Sequence, residues 1–141
     1  MKGIVLAGGK AKRLMPLTKI TSKQLLPVYN KPMIFYPLGT LLRAGIKEIL
    51  IIIAPDYAGH FLNLLGSGRD FGEGVKFTFE IQDHPKGLAD AFIIGESFID
   101  DDAVTMILGD NIIIDDVSEA IQNFRSGGRI FAKKVADPER F

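Results

Sequence analysis

The sequence predicts a doubly wound α/β fold, three α/β/α layers built on a mostly parallel central sheet. Three observations carry that prediction. Short β-branched runs alternate with longer stretches of helical periodicity, the signature of successive βαβ units. The strand runs are mostly solid with apolar residues rather than alternating, as strands covered on both faces require. With 47% hydrophobic and 24% charged residues among 141, the composition is that of an average globular chain, which can bury a core.

The elements follow in order. Lys2–Leu6 reads as the first strand and runs straight into Gly8-Gly9. The long segment up to Ile34 is read as one ordered excursion braced by Pro16 and Pro27. Ile34–Ala44 then places apolar residues at helical spacing, and Glu48–Ile53 is a second strand with an unbroken apolar run. Tyr57–Leu65 is a helix, Val75–Ile81 a strand, Gly87–Phe98 a helix and Ala103–Leu108 a strand. Val117–Phe124 is the last helix, and Arg129–Val135 is expected to be a fifth strand. No repeat, low-complexity tract or long linker interrupts the chain, so residues 1–141 are expected to form a single domain. The sequence closes on Asp137-Pro138-Glu139-Arg140-Phe141 with no terminal helix after that strand, which predicts an exposed sheet edge.

Lysine plus arginine balance aspartate plus glutamate at 17 each. No bulk field therefore favours nucleic acid or an anionic membrane, and any phosphate binding is local. The absence of cysteine excludes disulfides, thiolate metal sites and cysteine nucleophiles, and is compatible with a reducing compartment. Ile4–Ala7 is too short for a signal-peptide core and Ile49–Pro55 too short to cross a bilayer, so a soluble cytoplasmic protein is expected.

Chemistry concentrates after the first strand, in Leu6-Ala7-Gly8-Gly9-Lys10-Ala11-Lys12-Arg13-Leu14. Open α/β sheets bind ligands at the carboxyl ends of their strands. Glycines without Cβ let backbone N–H groups approach a phosphate or base edge, and nearby cations supply charge. The same residues also suit a plain tight turn with solvated lysines. Neither G-x-G-x-x-G nor G-x-x-x-x-G-K-[ST] is present, which excludes the dinucleotide fingerprint and the Walker loop. Lys23, set among apolar residues in Ser22–Val28, could converge with Arg13 on one triphosphate. Judged singly, Gln82 reads as a solvent-facing strand-end residue and Asp110 as a turn former. His60 and His84 are isolated and read as surface or packing residues. Asp100-Asp101-Asp102 reads as a solvated loop, because successive carboxylates on an extended chain point apart.

A family resemblance emerges from blocks that occur in order along the whole chain. Gly8-Gly9, Arg13-Leu14, Pro16, Thr18, Lys23, Leu26-Pro27-Val28 and Lys31-Pro32-Met33 come first. Gly45-Ile46, Gln82, Gly87-Leu88-Ala89, Ala91-Phe92, Leu108-Gly109-Asp110-Asn111 and the closing Asp137–Phe141 block follow. The set resembles glucose-1-phosphate thymidylyltransferase and its sugar nucleotidylyltransferase relatives. The resemblance implies a Rossmann-like, nucleotide-diphospho-sugar transferase-like fold, of which this chain holds the N-terminal half. It implies a transferase that moves a thymidylyl group from dTTP to glucose 1-phosphate, giving dTDP-glucose and pyrophosphate in dTDP-sugar biosynthesis. By the same resemblance Leu6, Ala7, Gly8 and Gly9 line the nucleotide pocket, Arg13 and Lys23 clamp the phosphates and carry the catalysis, and Gln82 and Gly87 read the pyrimidine edge. Asp110 would bind Mg²⁺ and lie near the ribose. Homo-oligomers are implied as well.

Two departures from the family pattern set alternatives beside that reading. The usual loop is G-G-x-G-[ST]-R-L, whereas Ala11 and Lys12 stand here, and Ala11 adds a Cβ where the backbone would need positive φ or close phosphate approach. Family members are also about twice this length, with most of the sugar pocket and a second metal-binding aspartate in the other half. A catalytically impaired nucleotide-binding module, a uridylyltransferase using UTP, and an assembly domain pairing through its sheet edge are the competing readings.

Overall fold

The computed structural model describes residues 1–9 and 11–140, with the side chains of Lys12 and Arg140 outside the described set. The expected role of Lys10 in the glycine loop, the charge placed by Lys12, and the Arg140-Phe141 end of the closing block therefore lie outside the described residues. Four parallel strands form the central sheet: β1 (Lys2–Ala7), β4 (Glu48–Ile53), β5 (Lys76–Ile81) and β6 (Val104–Leu108), in the spatial order β5-β4-β1-β6. Gly3 pairs with Ile49 and Ala7 with Ile53 on one side of β1, while Lys2 pairs with Val104 and Leu6 with Leu108 on the other. A separate two-stranded hairpin joins β2 (Pro27–Val28) to β3 (Lys31–Pro32).

The solid apolar runs are explained by coverage on both faces. Val5, Ile49, Ile51, Ile53 and Ile107 point to a large cluster with Leu38 and Leu41 of α1 (Phe35–Arg43), Phe61 and Leu65 of α2 (Ala58–Leu65), and Ile121 of α5 (Ser118–Gln122). Alternate residues Ile4, Leu50 and Ile52 point the other way, onto Ala91 and Ile94 of α3 (Asp90–Ile94) and Phe98 and Ile99 of α4 (Glu96–Ile99). The result is the α/β/α arrangement that the sequence predicts, with β4 the most deeply buried strand.

Two elements differ from expectation. The predicted helix Gly87–Phe98 forms as the short pair α3 and α4, which meet at Gly95. A Cβ at Gly95 would lie 3.0 Å from Leu50 Cδ2 and 3.2 Å from Ile4 Cδ1, so the missing side chain lets the chain sit against the sheet. The predicted fifth strand, Arg129–Val135, is not a strand. It pairs with neither β5 nor β6, and Ile130 and Phe131 are exposed. High β-propensity does not make a strand without a neighbouring ladder to satisfy its backbone groups.

The excursion between β1 and α1 is ordered by contacts from distant segments. It contains three 3₁₀ turns, Lys12–Leu14, Leu17–Lys19 and Lys23–Leu25, before the β2/β3 hairpin. Thr18 Oγ1 donates to the Ala11 carbonyl at 3.1 Å, and the Tyr57 hydroxyl donates to the carbonyls of Thr18 and Lys19 at 3.0 and 3.1 Å. Tyr36 Oη closes the hairpin end by donating to the Val28 carbonyl at 2.9 Å. No helix among the described residues is long and apolar enough to cross a membrane.

Candidate nucleotide site at the switch point of the sheet

Strand order reverses beside β1, because β4 and β5 build outward on one side while β6 is added on the other. In doubly wound sheets such a reversal opens a crevice outside the carboxyl ends of the two strands that flank it. A cleft of about 250 Å³ lies at that place, lined by Leu6 and Leu108, whose strands are in direct register there.

The residues singled out in the sequence distribute around this cleft in an ordered way. Leu6, Gly9, Lys23, Gln82, Gly87 and Asp110 line it. Ala7 and Gly8 are not part of the lining: Ala7 is buried, and Gly8 packs against Gln82, where a Cβ on Gly8 would lie 2.6 Å from Gln82 Oε1. Gly87, also in the lining, has φ +105°, a conformation that favours glycine. Arg13 is exposed on its 3₁₀ turn, is not part of the cleft lining, and makes no ion pair among the described residues.

Gln82 is almost completely buried, at 4% exposure, although it follows a strand whose outer residues face solvent. Its backbone N–H donates to the Ile53 carbonyl at 2.8 Å, and its side-chain Nε2 donates to Asp90 Oδ2 at 2.8 Å. The solvent-facing alternative for Gln82 is therefore not what the structure contains. For Asp110 the turn and the site coincide: Asn111 N–H donates to the Leu108 carbonyl at 3.1 Å, and the turn so formed presents the Asp110 carboxylate to the cleft. There Lys23 Nζ donates to Asp110 Oδ2, joining two residues 87 positions apart with about 30% of each side chain exposed.

Gln24, for which the sequence predicts no role, forms part of the cleft wall at 4% exposure. The Ser22 hydroxyl donates to its Oε1. A Cβ on Gly109 would come within 2.9 Å of Gln24 Cγ and 3.0 Å of Ala7 Cβ, so Gly109 makes the room that Gln24 occupies. Ala11 also lines the cleft, with φ +40°, the left-handed conformation that the glycine-to-alanine departure anticipates. His60 stacks on Tyr57 with ring centroids 5.9 Å apart, and both His60 and His84 are exposed, consistent with packing and surface positions.

The arrangement offers buried amides, glycine backbone and a lysine–aspartate pair within one crevice. A carboxylate with some exposure suits Mg²⁺, which commonly takes one or two protein carboxylates and fills its remaining positions with phosphate oxygens and water. Asp110 is the one carboxylate in the cleft lining among the described residues.

Comparison with known proteins agrees with the geometry. Residues 2–141 match the family model described as nucleotidyl transferase. Glucose-1-phosphate thymidylyltransferases from Neisseria meningitidis and Mycolicibacterium smegmatis are 50% and 49% identical to the chain, aligned over 100% of it and over 50% and 49% of their own length. A Bacillus anthracis structure described as a glucose-1-phosphate thymidylyltransferase in complex with a sucrose superposes with TM-score 0.82 at 43% identity, over 86% of this chain and 49% of that one. A UDP-glucose pyrophosphorylase complexed with UDP-glucose gives TM-score 0.69 at 28% identity, over 86% and 51%. The chain thus spans about half the length of the curated relatives it matches. A parallel sheet with its cleft at the strand-order reversal, and a family match running from Lys2 to the end, lead to one conclusion: the chain belongs to the nucleotidyl transferase family.

Proposed function

We propose that this chain is the nucleotide-binding part of a glucose-1-phosphate thymidylyltransferase, which transfers a thymidylyl group from dTTP to glucose 1-phosphate and releases pyrophosphate. The observation that carries the reading is the convergence of Lys23 and Asp110, 87 positions apart in the chain, on the cleft that Gln82 and Gly9 also line. Backbone groups of Leu6 to Gly9 and the Gln82 amide receive the base, with Gly87 in the same lining. Lys23 turns from Asp110 to the phosphates, and Arg13 folds in from solvent to join it.

A sugar phosphate oxygen attacks the α-phosphorus in line. One P–O bond forms, the bond to the bridging oxygen breaks, and pyrophosphate leaves with the electron pair. Charge grows on the bridging and equatorial oxygens, so fixed cations do most of the work and no side-chain nucleophile is needed. Mg²⁺ held at Asp110 would supply further neutralisation of the phosphate oxygens. The same reading carries a cytoplasmic location, a homo-oligomeric state, and residues 1–141 as a single nucleotide-binding domain. A balanced charge of 17 against 17 supports small-molecule partners over nucleic acid.

A second reading, nucleotide binding without turnover, is favoured by the left-handed Ala11 and the outward Arg13. Calorimetric titration of the chain with dTTP and UTP, with and without Mg²⁺, tests both, followed by a pyrophosphate-release assay with glucose 1-phosphate. Magnesium-dependent dTTP binding with turnover supports the transferase. Binding without turnover selects the second reading, and no binding of either nucleotide refutes both.

A further inference from the structure

Gln82 carries an amide whose two ends have nearly the same shape and opposite hydrogen-bonding character. A glutamine free to rotate by half a turn would accept a thymine or uracil edge in one state and a cytosine edge in the other. In this chain the choice is constrained by Asp90, the first residue of α3, which is not itself part of the cleft lining. An ionised carboxylate can only accept, so the Gln82 NH₂ group must face it, and the bond from Nε2 to Asp90 Oδ2 is 2.8 Å. The oxygen end is then directed to Gly8, where it occupies the space that a Cβ would fill. The stem is held too, through the bond of Gln82 N–H to the Ile53 carbonyl and through burial to 4% exposure.

We infer that Asp90 is a specificity-determining positioning residue: it locks the Gln82 amide in the orientation that reads a base with a ring N–H beside a carbonyl. The inference rests on the nucleotide-binding reading of the cleft and deepens it. With the amide locked, Oε1 accepts from the ring N–H and the second Nε2 hydrogen donates to the adjacent carbonyl. Cytosine held in the same pose presents an acceptor and a donor in the reverse order. Its ring nitrogen then meets Oε1, and its amino group meets the amide NH₂. Unpaired polar groups left by such a mismatch discriminate strongly, and a bidentate pair typically separates right from wrong base by roughly ten- to a hundredfold.

The test is calorimetric titration of wild type, Asp90→Asn and Asp90→Ala with dTTP, UTP and dCTP, alongside thermal unfolding of each protein. Asparagine keeps the shape of residue 90 but can donate as well as accept, so it releases the lock. The expected result is a preference of wild type for dTTP and UTP over dCTP, with the dTTP-to-dCTP affinity ratio falling about tenfold or more in both variants. A ratio unchanged in both variants, including a case where all three nucleotides weaken together with a lower melting temperature, overturns the lock. Failure of wild type to bind dTTP or UTP would instead sink the nucleotide-site reading on which the lock depends.

Discussion

The contact between Gly8 and Gln82 can be tested through Gly8→Ala, because the added methyl has a defined collision. The new Cβ would lie 2.6 Å from Gln82 Oε1, against 3.5 Å from Gln82 Cβ and 3.6 Å from its Cδ. Gly8 is not among the residues with positive φ, so the cost is steric and not one of backbone conformation. Overpacking of a well-filled site costs about 1–3 kcal/mol. Rotating the amide away to relieve the collision would also sacrifice its bond to Asp90, about 1 kcal/mol more. In a Gln82→Ala background the oxygen is gone and only a Cβ at ordinary contact distance remains. The substitution should then cost less than about 0.5 kcal/mol, the scatter expected for independent sites. Urea unfolding of the four proteins of this cycle, analysed by linear extrapolation, gives the coupling directly. For a chain of this size the single variant should melt roughly 3–10 °C lower than wild type. An equal cost of Gly8→Ala in both backgrounds would refute the packing argument.

Other outcomes follow from the same structure. Ala11→Gly, which removes a Cβ from a residue at φ +40°, should raise stability by about 0.5–1 kcal/mol in thermal unfolding, and combined with Lys12→Thr should tighten dTTP binding in titration. Lys23→Met should weaken dTTP binding at least about tenfold while shifting the urea midpoint little, since a partly exposed ion pair contributes at most about 1 kcal/mol. The carboxyl of Asp102 is held below its usual 3.8 by a hydrogen bond from Lys2 and by the charges of Lys2 and the amino terminus; that of Asp116 is lowered by hydrogen bonds from the Ser118 side chain and backbone. Groups with depressed folded values stabilise above 3.8 and lose that contribution as pH falls through the folded value. Asp102→Asn and Asp116→Asn should therefore lower the urea midpoint at neutral pH, and the difference from wild type should close well below pH 3.8.

What could be read from the sequence, and what could not, divides along the range of the interactions. The solid apolar run of β4 identifies a central strand because only two-sided coverage tolerates Leu50 to Ile53 in succession. Gly8-Gly9 and Asp110 could be located because the first follows β1 directly and the second lies two residues past β6, and topology then brings the strand ends together. Gln24 was not legible: its burial depends on the absence of a side chain at Gly109, 85 positions away. The Gln82–Asp90 bond spans a loop with no periodic pattern, and nothing local marks it. Arg129–Val135 has strand composition, but pairing is a property of two segments and this one makes no ladder. The break at Gly95 depends on Leu50 and Ile4 in the sheet below, which helical spacing alone does not register.

The depth of β4 has a consequence in time. Leu50 to Ile53 have no exposed surface, and their strand is paired on both sides, so its amide hydrogens should exchange with solvent only when the whole sheet comes apart. The cleft lies where that protection ends, at the carboxyl ends of β1, β5 and β6, lined there by Leu6, Gly9, Gln82, Leu108 and Asp110. Its loops can therefore open and close many times within one lifetime of the frame, and a ligand seated there should slow exchange at Gly8, Gln82 and Gly109 while leaving β4 unchanged.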